Sequence, residues 1–143
     1  MAYVSKIDRT QRRQKTGEDF TPRALVDRML DKLPPESFKE KLNFLDNSAG
    51  NGNIIIAVIE RKLDGGLSYI DALKSTYAVE LMEDNVMEMK ERIFNLIYSR
   101  FPDADKKKVE KIVNHNIVCS DAFEWDYDNW KSKKVVQLSL FGT

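Results

Sequence analysis

Apolar positions recur along the chain at two spacings, and the alternation between them sets out the elements. Leu25, Val26, Met29, Leu30 and Leu33 fall on one face of a helix that Thr21 and Pro22 open as N-cap and first helical residue and that Pro34 and Pro35 stop. "LNFLD" at 42–46 reads as a short strand from its length and flanks. A second helix starts near Asn53, runs through "IIIAVIERKL" and breaks at Gly65 and Gly66, and Ser68 with Asp71 three residues on starts a brief third. "TYAVEL" at 76–81 predicts a strand, and the next helix places Val86, Met89, Ile93, Leu96 and Ile97 at helical spacing. "DADKKKVEKIVNH" predicts another helix and "NIVCSD" a third strand. Strands alternating with helices imply α/β layering, with parallel strands joined by right-handed crossovers.

Composition narrows this picture. A length of 143 residues suits one domain with a real core, and 23 basic against 23 acidic side chains leave no global field to recruit or repel nucleic acid. A single cysteine, Cys119, excludes an internal disulfide; neither an apolar signal region nor an 18-residue apolar span is evident, so a cytoplasmic protein with no membrane partner is expected. Cys119 sits within an apolar strand and is expected to pack, and His115 reads as a helix C-terminal residue. No clustered ligands suggest a metal. Residues 1–15 carry Lys6, Arg9, Arg12, Arg13 and Lys15 against one acid, a basic arm suited to solvent or to DNA phosphates; Lys106, Lys107 and Lys108 read as a solvated helix face that could join it. Residues 131–143 form a lysine-rich, then alternating, tail.

Candidate chemistry gathers where strands end. In "FLDNSAGNGNIII" a strand ends at Asp46, Gly50 and Gly52 occupy the turn, and a helix follows, an arrangement in which a backbone free of side chains lets a ligand approach a helix N-terminus. Glu80 closes the next strand, where a carboxylate can accept both hydroxyl protons of a ribose, and Asp121 with Phe123 follows the third, a polar acceptor and an apolar neighbour suited to an adenine ring. Parallel strands bring all three acids to one edge of the sheet.

These motifs, in this order over residues 16–130, resemble the S-adenosylmethionine-dependent DNA methyltransferases that act on adenine N6. "TGEDFTPRALVDRML" is similar to the family's leading segment over the methionine end of the cofactor, which gives that role to Thr16, Phe20, Thr21 and Pro22. "FLDNSAGNGN" resembles the Asp-Pro-x-x-Gly-x-Gly loop through Asp46, Ala49, Gly50 and Gly52, with Asn47 in place of the proline. "YAVELMEDN" resembles the ribose-binding segment through Glu80, with Leu81 or Met82 beside the adenine, and "IVCSDAFEWDY" the third segment through Asp121, Ala122 and Phe123. The resemblance implies a Rossmann-like class I methyltransferase fold and S-adenosylmethionine as cofactor.

The departure from the family is equally specific. Its catalytic Asp/Asn-Pro-Pro-Tyr/Phe loop should follow these motifs, yet the four prolines are Pro22, Pro34, Pro35 and Pro102, and the Pro-Pro pair in "KLPPES" precedes the cofactor loop. "DYDNW" at 126–130 has polar and aromatic residues without the rigid turn, so no catalytic residue is assigned. The expectation is the cofactor-binding half of a methyltransferase, with an incomplete parallel sheet whose open edge, at the strand ending in Asp46, needs a cover. A second copy, a partner supplying the catalytic loop, or the tail could provide it. The alternative is an inactive binding module at the replication machinery, because "QLSLF" resembles the pentapeptide by which bacterial proteins dock on the sliding clamp, through Gln137, Leu138, Leu140 and Phe141. Pairing of "KVVQLSLF" with the sheet remains the competing reading of that tail.

Overall fold

The computed structural model describes residues 20–133. Helix α1 spans Arg23–Leu30, strand β1 Phe44–Asp46, α2 Asn53–Asp64, α3 Tyr69–Lys74, β2 Thr76–Glu80, α4 Glu83–Arg100, α5 Lys106–Asn116 and β3 Ile117–Cys119; a hairpin of β4, Trp125–Asp126, and β5, Lys131–Ser132, closes the described part. Short 3-10 turns occupy Pro35–Phe38 and Ala122–Glu124. The mixed α/β class and the parallel pairing expected from the sequence are present: β1, β2 and β3 lie in that order, with Leu45 opposite Tyr77 and Val79 opposite Val118.

Each helix start has a local cause. Ser68 Oγ accepts the Asp71 N–H at 3.1 Å and Asp105 Oδ1 accepts that of Lys108 at 3.2 Å, satisfying first-turn donors of α3 and α5. In α4 the acids Glu83 and Asp84 stand in the first turn and Arg100 in the last, as the helix dipole favours. The first helix differs from the reading of its sequence. Pro22, not Thr21, is its N-cap, without a side-chain cap, and the helix stops at Leu30, so only Val26 and Leu30 are buried while Leu25, Met29 and Leu33 are exposed.

Two apolar clusters explain why α2 is buried at every position from Ile55 to Ile59. Ile55, Ile56 and Ile59 join Leu73, Ala78, Met89, Ile93, Val113 and Ile117 in the main core. Ala57 and Val58 face the other way, toward Val26, Leu30 and Phe38. A helix apolar all round is therefore sandwiched. At its C-terminal end Lys62 is 1% exposed, and its ammonium donates to Leu42 O at 3.0 Å, Ser75 O and Ser75 Oγ at 2.8 Å, and Thr76 Oγ1 at 3.2 Å. One buried cation thus ties the approach to β1 to the start of β2.

Helices α2 to α5 share the core with Phe44, Ala78 and Ile117, so they gather on one face of the sheet. Alternation sends Leu45, Tyr77, Val79 and Val118 to the other face. There the hairpin supplies Trp130, whose ring meets Tyr77 edge-on at 4.8 Å. Among the described residues β1 pairs only with β2, and Leu45 on it is 44% exposed.

Two expectations are corrected. Cys119 lies in β3 but is exposed, with its sulfur donating to Leu81 O at 3.4 Å, because it occupies the last position of an outer strand of the described sheet. The boundary at residue 131 divides the hairpin, since Lys131 pairs with Asp126 and Ser132 with Trp125.

Candidate functional site

The C-terminal edge of the sheet carries Asp46, Glu80 and, beyond β3, Asp121, as parallel strand order requires. After β1 the chain turns sharply. Asp46 Oδ1 accepts the Ser48 N–H at 3.0 Å, Ala49 N–H donates to Val79 O at 3.2 Å, and Gly50 and Gly52 take φ of 56° and 93° before α2 begins. A small cavity of about 30 Å³ opens here, lined by Phe20, Thr21, Asp46, Ala49, Gly50 and Asn53 among others. Phe20 and Thr21 of the leading segment thus meet the glycine loop, 25 or more residues further along the sequence, at one point.

Asp46 is the exceptional group in this cavity. Its Oδ2 is buried with no hydrogen-bond partner among the described residues. Burial pushes the carboxyl pKa up, the Ser48 N–H works against that rise, and the Glu80 charge adds to it. A buried, unsatisfied acceptor is costly unless a donor or cation arrives.

Glu80, 7% exposed, is already engaged. Oε1 accepts the Gly50 N–H at 2.8 Å, while Oε2 accepts the Met82 N–H at 3.0 Å and Asn85 Nδ2 at 3.2 Å. A carboxylate offers about four lone-pair positions, so one remains, on Oε1. The expected pair of ribose hydroxyl bonds requires release of the Gly50 amide.

The glycines also serve neighbours that the sequence reading did not foresee. A Cβ on Gly52 would lie 2.6 Å from Met89 Cγ, and one on Gly50 would lie 3.2 Å from Phe20 Cδ1. The space cleared at Gly52 is filled by the core, and the space at Gly50 by the leading segment.

Three polar residues complete the loop, and the sequence reading gave none of them a site role. Asn53 Nδ2 donates to Thr21 O at 2.6 Å, which fastens the leading segment to the first turn of α2. Arg92, from α4, donates to Asn51 O at 2.9 Å and to Asn53 Oδ1 at 2.8 Å, and burial is the main cause pulling its pKa down. Asn85 braces Glu80 from the first turn of α4. Only the polarity of Asn85 and Arg92 within an amphipathic helix could have flagged them.

At the far side, Asp121 Oδ1 accepts the Phe123 N–H at 2.9 Å and opens the 3-10 turn containing Ala122. Phe123 is 89% exposed and Leu81 62% exposed, apolar groups standing in solvent at the ends of adjacent strands. Met82, half-buried, serves through its N–H. Asp126 accepts the N–H groups of Asp128 and Asn129 and the Asn129 side chain, so "DYDNW" forms the closed turn of the hairpin. Thr16, Gln137, Leu138, Leu140 and Phe141 lie outside the described residues, as do the basic residues 1–15 and the segment "KVVQLSLF". Among the described residues no helix is long and apolar enough to cross a membrane, and no three His, Cys, Asp or Glu side chains group as metal ligands.

No family model, curated protein or solved structure matches the chain.

Proposed function

We propose that the loop from Asp46 to Asn53 binds S-adenosylmethionine and that the chain is the cofactor-binding half of an adenine-N6 DNA methyltransferase-like protein. The observation that carries the reading is the orphaned Asp46 Oδ2, buried beside Phe20, Thr21 and the glycine turn. An amino-acid ammonium group arriving there satisfies the carboxylate and favours its ionised form. Glu80 has one acceptor position left for a ribose hydroxyl, and exposed Leu81 and Phe123 offer apolar surface to an adenine. The cavity of about 30 Å³ holds little more than a water, so entry of a nucleoside requires Phe20 and the Gly50 amide to give way. Bound cofactor supplies an electrophilic methyl on a sulfonium. The chain's own residues bind and orient it, and the group that holds the target amine comes from elsewhere.

Among the described residues β1 pairs on one side only and the helices α2 to α5 gather on one face, which supports that incompleteness, because parallel sheets are ordinarily covered on both faces. Isothermal titration with S-adenosylmethionine and with its demethylated product tests the reading: saturable heat lost in Asp46→Ala is expected, and no heat at millimolar ligand overturns it. The isolated chain should transfer no methyl group to unmodified DNA at an enzymatic rate, since nothing positions the nucleophile.

A further inference from the structure

At the opposite edge of the sheet from the glycine loop, α3 and α5 frame a second and larger cleft of about 530 Å³. Its floor is apolar, from Ile70, Ile112 and Tyr77, and its rim carries Lys74, Lys108, Lys111 and His115. The rim residues Lys108, Lys111 and His115 of α5 recur at helical spacing, so they form one stripe along the helix. Among the described residues no carboxylate lines the cleft and none of the three lysines is within ion-pair distance of one. Lys106, Lys107 and Lys108 moreover occupy the first turn of α5, the end at which the helix dipole disfavours cations. The Lys106 ammonium lies 5.6 Å from the centre of the Tyr98 ring, but the described fold offers no such partner to the cleft lysines Lys74, Lys108 and Lys111.

The flank of the cleft is aromatic and held under strain. Trp130 has a φ of 53°, a left-handed conformation that among non-glycine residues of the described chain it alone adopts. Its indole N–H donates to His115 O at 2.7 Å and its ring lies against Tyr77, two residues that line the cleft, while Trp125 packs edge-on against it at 5.2 Å. Tyr127, 37% exposed, lies beside Trp130 with ring centres 6.3 Å apart.

We propose that this cleft binds an unpaired stretch of nucleic acid, a base entering the apolar floor beside the Tyr77 and Trp130 rings while flanking phosphates take Lys74, Lys108 and Lys111. Lysines in a row suit phosphates as point charges, and aromatic groups beside such a row are the common device for single strands. A duplex keeps its bases stacked inside and has no group to fill the floor. An acidic peptide would satisfy the charges without requiring the aromatic flank.

The experiment is fluorescence anisotropy of a short labelled single-stranded oligonucleotide with the full chain, compared with the Lys74→Glu, Lys108→Glu, Lys111→Glu triple variant. All three side chains are exposed, so the fold should be retained, which circular dichroism checks. Expected are binding at least about tenfold weaker in the variant, a salt slope reduced by roughly two, as three lost phosphate contacts on a single strand give, and quenching of tryptophan fluorescence on saturation of the parent. The comparison is repeated with Lys6, Arg9, Arg12, Arg13 and Lys15 changed to Gln, and the loss must persist in that background. Equal affinity of parent and variant, or equal competition by duplex DNA or polyglutamate, overturns the proposal. Cofactor affinity is unchanged in the triple variant, so this failure is distinct from failure at the glycine loop.

Discussion

The Gly50 N–H donates to Glu80 Oε1 at 2.8 Å, so the acid ending the central strand fastens the glycine loop that follows β1. The group best placed to receive a ribose is therefore also the catch that a ribose would have to loosen. Cofactor binding should shift the Gly50 amide resonance and speed its hydrogen exchange. Glu80→Gln, which places an amide N–H₂ among three N–H donors, should destabilise the chain by about 1–3 kcal/mol in urea unfolding and weaken cofactor binding as well.

Asp46→Asn separates affinity from stability. The folded carboxyl pKa is raised, so its contribution to stability is fully present below the unfolded carboxylate range and is lost as pH rises through the folded value. Near neutral pH the charge is a burden on the unliganded chain. The asparagine variant keeps an oxygen for the Ser48 N–H, and its melting temperature at pH 7 should equal or exceed the parent's while cofactor heat disappears in titration.

Gly52→Ala should destabilise the fold by about 2–5 kcal/mol, the sum of a left-handed backbone and a clash with Met89. Gly66→Ala, at φ 103° with nothing within 4 Å of its added Cβ, should cost only the backbone part, about 1–2 kcal/mol. Thermal unfolding of the two variants side by side checks the difference.

Lys62 links stability to alkaline pH. Burial lowers its pKa to about 8, so between that value and the ordinary lysine range the unfolded chain binds more protons than the folded one. Stability from this group rises with pH across that window and is flat below it, a slope that Lys62→Met should abolish. Lys62→Ala, which strips four hydrogen bonds from Leu42, Ser75 and Thr76 and leaves a void, should cost about 2–4 kcal/mol by denaturant titration.

The tail resemblance makes its own prediction. Docking of Gln137–Phe141 on a bacterial-type sliding clamp should be measurable by surface plasmon resonance and lost in the Leu140→Ala, Phe141→Ala variant with folding and cofactor affinity intact. Unfolding of that variant would mark the segment as part of the domain.

The sequence by itself determined the order of the helices and the three parallel strands, because helical and strand periods are local properties of the chain, but not the hairpin of β4 and β5. It also determined that Asp46, Glu80 and Asp121 share an edge, since parallel strands must end together, and that the turn after Asp46 would use glycine. Contacts between distant segments were beyond its reach. That Gly52 makes room for Met89, that Arg92 clamps Asn51 and Asn53 across 39 or more residues, and that Glu80 spends three acceptor positions on its own protein follow from how helices pack across the sheet. Local periodicity gives the face a side chain occupies but not what lies opposite. The exposure of Cys119, the half-used apolar face of α1 and the strained Trp130 beside a cationic cleft have that same origin: each is fixed by which neighbour the tertiary fold brings, or fails to bring, against it.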